Sequence, residues 1–171
     1  MESALHYADY LKLDLILKAQ ELRSDQLQAH AHDEMLFIVI HQTYELWFKQ
    51  LLYEVDSVKT ILQKPSLNDD SPELQIIVHR LQRVNTIFKL LVQQIEVMET
   101  MSPIDFLDFR DMLRPASGFQ SWQFKLLEAK LGLKFEQRHG QTLDSSHGRE
   151  TEVHLIKSGE SEKTLLELLN V

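Results

Sequence analysis

Between Met35 and Val58 the apolar and aromatic residues recur at Phe37, His41, Tyr44, Phe48, Leu51 and Val55, a 4-3-4-3-4 spacing that lines one side of an α-helix. The pattern predicts a long helix over about residues 27–63, with Ser24 or Asp25 as N-cap, Asp33 and Glu34 facing solvent, and Lys64-Pro65 as the stop. A second run, Leu74, Ile77, Leu81, Val84, Phe88, Leu91, Ile95 and Met98, forms a heptad-like seam, opened by Ser71 as N-cap and Pro72 at the first helical position. The connection between the two is short, so they are expected to lie antiparallel. Ser102-Pro103-Ile104-Asp105 reads as a capping box that opens a helix over about 103–113, which Pro115 ends. Ala116-Ser117-Gly118 then makes a tight turn, and FQSWQFKLLEAKLG continues as a helix closed by Gly132.

The flanks are less regular. Residues 1–23 read as an extended lead followed by a short amphipathic helix built on Leu11, Leu15, Ile16 and Leu22. From Lys134 to Gly148 no apolar period survives, which predicts a loop. The last piece, about 149–170, is amphipathic and crowds Leu165, Leu166, Leu168 and Leu169 at its end; a neighbouring subunit, or sequence outside this chain, is expected to cover them. Strand signals are nearly absent. The expected fold is therefore all-α: a bundle of long antiparallel helices with an N-terminal arm, in one domain made of the arm (1–23), a helical core (24–132) and a loop with a terminal helix (133–171).

Composition narrows the chemistry. The chain has 171 residues, 43% of them hydrophobic, and no cysteine, which removes disulfides and thiolate metal sites. No apolar run reaches the roughly 18 residues of a membrane span, and the N-terminus lacks a basic-then-apolar signal pattern, so no membrane partner and a cytoplasmic location are expected. A net charge of -8 argues against nucleic acid as the main partner, while leaving room for a local cationic pocket.

Three features carry the candidate chemistry. His41 sits in an aromatic stripe beside Phe37, where partial dehydration favours the neutral imidazole; it is either a satisfied core residue or an acceptor for a ligand. Phe106 and Arg110 are four apart, hence on one helix face, and Arg110 either pairs with Asp105, Asp108 or Asp111 or receives a carboxylate in its guanidinium fork. The small residues Ser117 and Gly118 let backbone approach a flat ligand closely. A planar aromatic molecule bearing a carboxylate would satisfy all of these groups. Tyr7 and Tyr10 either pack on the domain's own surface or reach into another subunit. His30 with Glu34, and His41 with Glu45, share helix faces, but neither a Glu-x-x-His pair nor an HExxH is present, so no metal ligands are assigned.

The runs HYADYLKLD, HDEMLFIVIHQTYELWFKQLL and FLDFRDMLRPASGFQSWQFKLLEAKLG, in this order, closely resemble tryptophan 2,3-dioxygenase, and SGESEKTLLELL is similar to the family at the corresponding place. The resemblance covers essentially the whole chain. It implies a helical enzyme with haem b, usually a homotetramer, that uses O2 to oxidise L-tryptophan to N-formylkynurenine in the kynurenine pathway of tryptophan catabolism. Carried over by motif, His41 is the catalytic distal residue that accepts from the indole N–H, acting as a base or only positioning the ring. Phe37 and Phe106 shape the aromatic pocket, Arg110 holds the carboxylate, Ser117 and Gly118 lie against haem and substrate, and Tyr7, Tyr10 and Leu11 arrive from a neighbouring subunit. Two departures stand out. Phe106 occupies a position where many bacterial relatives have Tyr, and the family's proximal haem ligand is a His of a C-terminal half that these 171 residues do not include. His6, His30, His32, His79 and His139 are not at ligand positions in the resemblance, and His147 and His154 fall in the irregular tail. The implied partners are a second copy of the chain or a companion chain bringing the C-terminal half; the alternative is a non-catalytic tryptophan-binding or oligomerisation module.

Overall fold

The computed structural model describes residues 4–65, 67–68, 70–134, 138 and 149–170. Within them the fold is all-α, with no strand. The N-terminal arm forms two short helices, α1 (Tyr7–Leu11) and α2 (Leu13–Ile16), separated by Lys12 in the left-handed conformation at φ 55°. The sequence pattern places one helix later in this stretch; instead the backbone reverses at Lys12, and Tyr7 and Tyr10 stand 73% and 69% exposed on α1.

The long helix is shorter at its start than its apolar period suggests. Residues Arg23–Gln26 form a separate turn of helix, α3, and the chain bends through Gln28 at φ 58° before α4 runs from Glu34 to Leu62. The expectation that Glu34 faces water is wrong: it is 1% exposed. Its two carboxylate oxygens accept the backbone N–H groups of Arg23 at 2.7 Å and Ser24 at 2.9 Å, donors that the start of α3 leaves unpaired. Ser24, itself fully buried, accepts from the Ala31 N–H at 3.1 Å and closes the knot.

Helix α5 (Glu73–Gln93) returns along α4 in the opposite sense: Tyr44 near the start of α4 meets Leu91 near the end of α5, and Glu54 meets Arg83 at 2.6 Å. Leu51, Leu52, Val55, Val58 and Ile61 of α4 interlock with Ile77, Val84, Ile87 and Leu91 of α5, each buried side chain contributing about 1.5–3 kcal/mol. The seam predicted to continue to Met98 stops at Leu91. Gln94 interrupts the helix, and Ile95, now on α6 (Ile95–Met98), is 49% exposed.

Ser102 and Asp105 form the expected reciprocal capping box of α7 (Pro103–Arg110), which gives way to a 3-10 turn over Asp111–Leu113. A second 3-10 turn, Gly118–Gln120, is capped by Ser117, and α8 (Trp122–Leu131) ends at Gly132 with φ 110°. Leu126 and Leu127 join α8 to the core, as do Ile156 of α9 (Glu150–Ser161) and Leu165 of α10 (Leu165–Leu169). His154 lies on α9 and is exposed rather than in irregular chain; most of the loop expected over 134–148, with His139 and His147, falls outside the described residues. Of the terminal leucines, Leu165 is buried, while Leu166 and Leu169 are 54% and 49% exposed.

An ionic clasp fastens this C-terminal part. Lys59 of α4, nearly buried, donates to Glu162 at 2.9 Å, and Lys130 of α8 reaches both Asp56 at 2.5 Å and Glu162 at 3.9 Å. The hydrogen bond from Lys59 holds the Glu162 carboxyl below its ordinary range, against the opposing effect of burial and with help from the charges of Lys130 and Lys59. Glu167 is lowered in the same direction by its bonds from the Thr164 backbone and side chain. An acid depressed in the folded state stabilises above its unfolded pKa and loses that contribution as pH falls through the folded value. Protection of the 162–169 amides from exchange is therefore expected to fall as pH drops below the ordinary glutamate range, ahead of the α4/α5 core, and Glu162→Gln to remove much of that dependence.

Candidate functional site

The stripe on α4 serves two purposes along its length. Leu51 and Val55 lie in the core, whereas Phe37, His41, Tyr44 and Phe48 on the same face line a cavity of about 790 Å³. The opposite wall comes from the segment after α7: Leu113, Ala116, Ser117, Gly118 and Phe119, followed by Trp122 and Phe124 at the start of α8. The two walls meet through aromatic contacts, with Phe48 and Phe124 centroids 5.3 Å apart. The lining is predominantly apolar, so a polar group inside it sees few competing partners.

His41 is oriented by its own helix. Its Nδ1 lies 2.7 Å from the Phe37 carbonyl oxygen, and since a carbonyl can only accept, Nδ1 carries the proton. In the neutral ring Nε2 then bears the lone pair. That atom points to the opposite wall: a Cβ placed on Gly118 would sit 4.0 Å from it. The cavity thus presents one aimed acceptor beside a residue with no side chain.

Next to this acceptor three phenylalanines make a cluster. Phe37 packs 4.1 Å from the His41 ring and stacks on Phe106 at 5.7 Å, while Phe109, fully buried, meets both Phe37 and Phe106 edge-on at 5.6 and 5.5 Å. The Arg110 guanidinium lies 5.7 Å from the Phe106 ring centre. Among the described residues it has no ion-pair or hydrogen-bond partner: Asp111 pairs with Arg114 at 3.1 Å, and Asp105 accepts from the Ser102 backbone. Arg110 is exposed, and neither it nor Phe106 lines the cavity itself; they stand behind Phe37 at its edge. Tyr7, Tyr10 and Leu11 do not line it either in the single chain.

Sequence reasoning did not single out Tyr44, Phe48, Trp122 and Phe124 as pocket residues, although Tyr44 and Phe48 share the His41 stripe and could have been assigned with it. Burial raises the Tyr44 hydroxyl above its ordinary range, keeping it a donor, and it bonds the Leu91 carbonyl at 2.7 Å. Two polar residues were likewise not assigned to the pocket, although Glu45 shares the His41 face. Glu45, one turn beyond His41, lines the cavity, and Gln123 of α8 donates to its carboxylate at 2.7 Å and to its backbone carbonyl at 3.0 Å.

Comparison with known proteins bears on this arrangement. The family model described as tryptophan 2,3-dioxygenase matches residues 1–170. A tryptophan 2,3-dioxygenase of Bdellovibrio bacteriovorus is 54% identical over 134 residues, which is 78% of this chain and 37% of that protein. Tryptophan 2,3-dioxygenase B of Danio rerio is 50% identical over 169 residues, 95% of this chain and 40% of the relative. A Dictyostelium discoideum tryptophan 2,3-dioxygenase is 44% identical over 176 residues, covering 98% and 42%. The chain spans about two fifths of the length of these relatives, on the covered shares of 37%, 40% and 42%.

Proposed function

The chain belongs to the tryptophan 2,3-dioxygenase family, and on that premise we propose that it supplies the substrate-binding part of a haem-dependent dioxygenase that converts L-tryptophan and O2 to N-formylkynurenine in the cytoplasm. The observation that carries this reading is the His41 tautomer: with Nδ1 committed to the Phe37 carbonyl, Nε2 is left to accept a hydrogen bond inside an aromatic cavity. An indole offers one N–H in the plane of a flat apolar ring. His41 receives it, Phe37 packs on the ring, and the Arg110 fork, which has no ion-pair partner among the described residues, closes on the carboxylate by two parallel bonds.

A haem fits one side of this cavity. The volume of about 790 Å³, the aromatic walls and the bare backbone at Gly118 suit a flat macrocycle, with Ser117 and Gly118 against it. Among the described residues that line the cavity only His41 is an imidazole, and its free nitrogen is the one assigned to the substrate, so a haem held against Ser117 and Gly118 would need a donor to its iron from outside these residues. When bound, the haem supplies the activation of O2. The chain's own residues orient the indole, hold the carboxylate and exclude water. Tyr7, Tyr10 and Leu11, exposed or half-exposed in the single chain, close the pocket of a neighbouring copy in a homotetramer. A second reading, a module that binds tryptophan or assembles without turnover, is favoured by the presence of no second imidazole among the described lining residues.

Two measurements test these readings. The chain mixed with haem, alone and with any companion chain that carries the C-terminal half, is expected to give a Soret band that shifts on adding L-tryptophan; no haem uptake in either mixture removes catalysis and leaves the binding module. Calorimetry on the haem-loaded protein is expected to show Arg110→Ala binding L-tryptophan roughly 10- to 100-fold more weakly, the loss of a charge-assisted bond. Unchanged affinity would sink the carboxylate role of Arg110.

A further inference from the structure

Gln123 is 78 residues from Glu45 in sequence, yet its side-chain amide makes two bonds to that one residue, at 2.7 Å to the carboxylate and 3.0 Å to the backbone carbonyl. Glu45 stands one helical turn from His41 on the cavity face of α4, and Gln123 lies between Trp122 and Phe124, both of which form the facing wall. The amide has two hydrogens, so one group serves both acceptors. Of the other contacts of α8 with α4, Leu126 and Leu127 in the core and Lys130 on Asp56 lie further along both helices, while at the cavity end the Phe48 and Phe124 rings meet 5.3 Å apart, a packing contact that fixes no hydrogen-bond register. At the cavity end the segment before α8 is held by its own caps, Ser117 to Phe119 and Ser121 to Phe124, neither of which reaches α4.

We propose that Gln123 is a positioning residue of the pocket: its amide clamps the start of α8, and with it the Gly118–Trp122 wall, to the turn of α4 next to His41. The clamp sets the distance between the imidazole acceptor on α4 and the bare Gly118 backbone on the facing wall, and so the width of the cavity beside His41. Its importance for tryptophan rests on the reading in the preceding subsection; the clamp itself does not.

A donor–acceptor exchange tests it. Q123E sets two carboxylates against each other, Q123M removes the donors at similar volume, and the double variant Q123E/E45Q puts the amide on α4 and the acceptor on α8. Amide exchange over residues 117–123, measured on the full chain without ligand, is expected to rise about tenfold in Q123M and further in Q123E, with the α4/α5 core unchanged, and to fall back below Q123E in the double variant, which restores the side-chain bond but not the one to the residue-45 carbonyl. The Q123E effect is also expected to fade at acid pH, where one carboxyl takes a proton. Exchange unchanged in both single variants, or a double variant no slower than Q123E, overturns the proposal. In the haem-loaded protein the affinity for L-tryptophan is expected to follow the same order, lowest in Q123E and partly recovered in the double variant. A wild type that binds no L-tryptophan overturns the tryptophan reading alone, and exchange then decides the clamp.

Discussion

Replacing Glu34 by alanine is expected to lower the unfolding free energy by about 2–3 kcal/mol, because it orphans the buried Ser24 backbone N–H and takes the acceptor from the part-buried Arg23 N–H. Glu34→Gln should recover only part of the loss, since its oxygen can accept from Arg23 or Ser24 while its amide N–H faces the other donor. Urea unfolding reads the total; a loss under about 1 kcal/mol would mean that α3 finds other acceptors. The damage should also spread to the pocket. Glu34 precedes Phe37 and His41 on one face of α4, and the α3 turn it holds packs against Asp111–Leu113, the segment between Arg110 and the small-residue turn. Faster amide exchange at Arg23 and Ser24 together with 111–113 is the expected signature.

The second large effect is at Phe109. It is fully buried and meets both Phe37 and Phe106 edge-on, so Phe109→Ala is expected to cost about 3–5 kcal/mol from reduced burial and the void that remains. Phe109→Leu keeps much of the volume and should cost less than half as much, although a leucine has no ring edge to present to its two neighbours. Because Phe106 is the platform under Arg110 and Phe37 packs on His41, the alanine variant should weaken both ends of the proposed tryptophan site, whereas Arg110→Ala weakens one. A Phe109→Ala protein with wild-type stability would show that the cluster repacks around the gap.

What the sequence made legible was periodic or was punctuated. The stripe through Phe37, His41, Phe48, Leu51 and Val55 read correctly as one helix face, and Ser102, Pro103 and Gly132 marked real ends. The beginning of α4 did not read, because the bend at Gln28 interrupts the chain without a glycine or proline to announce it. Glu34 was misplaced for a related reason: a charge predicts solvent unless its partners are known, and those are backbone groups ten and eleven residues upstream. Ile95 kept the heptad spacing while the helix carrying it broke at Gln94. At the site, side chains with distinctive chemistry were visible in advance, and the structure brings Phe37, His41, Ser117 and Gly118 to one cavity. Gln123 was invisible, since an ordinary amide gains its meaning only from a residue 78 positions away.

The bond from the Tyr44 hydroxyl to the Leu91 carbonyl ties the inner surface of the cavity to the last turn of an outer helix, two residues short of where that helix ends at Gln93. A guest that pushes the phenol ring aside must break this bond or drag the end of α5 along. The size of guest admitted beside Tyr44 is therefore set partly by a peptide group that no guest touches, at a cost of about 1 kcal/mol for a guest that breaks the bond.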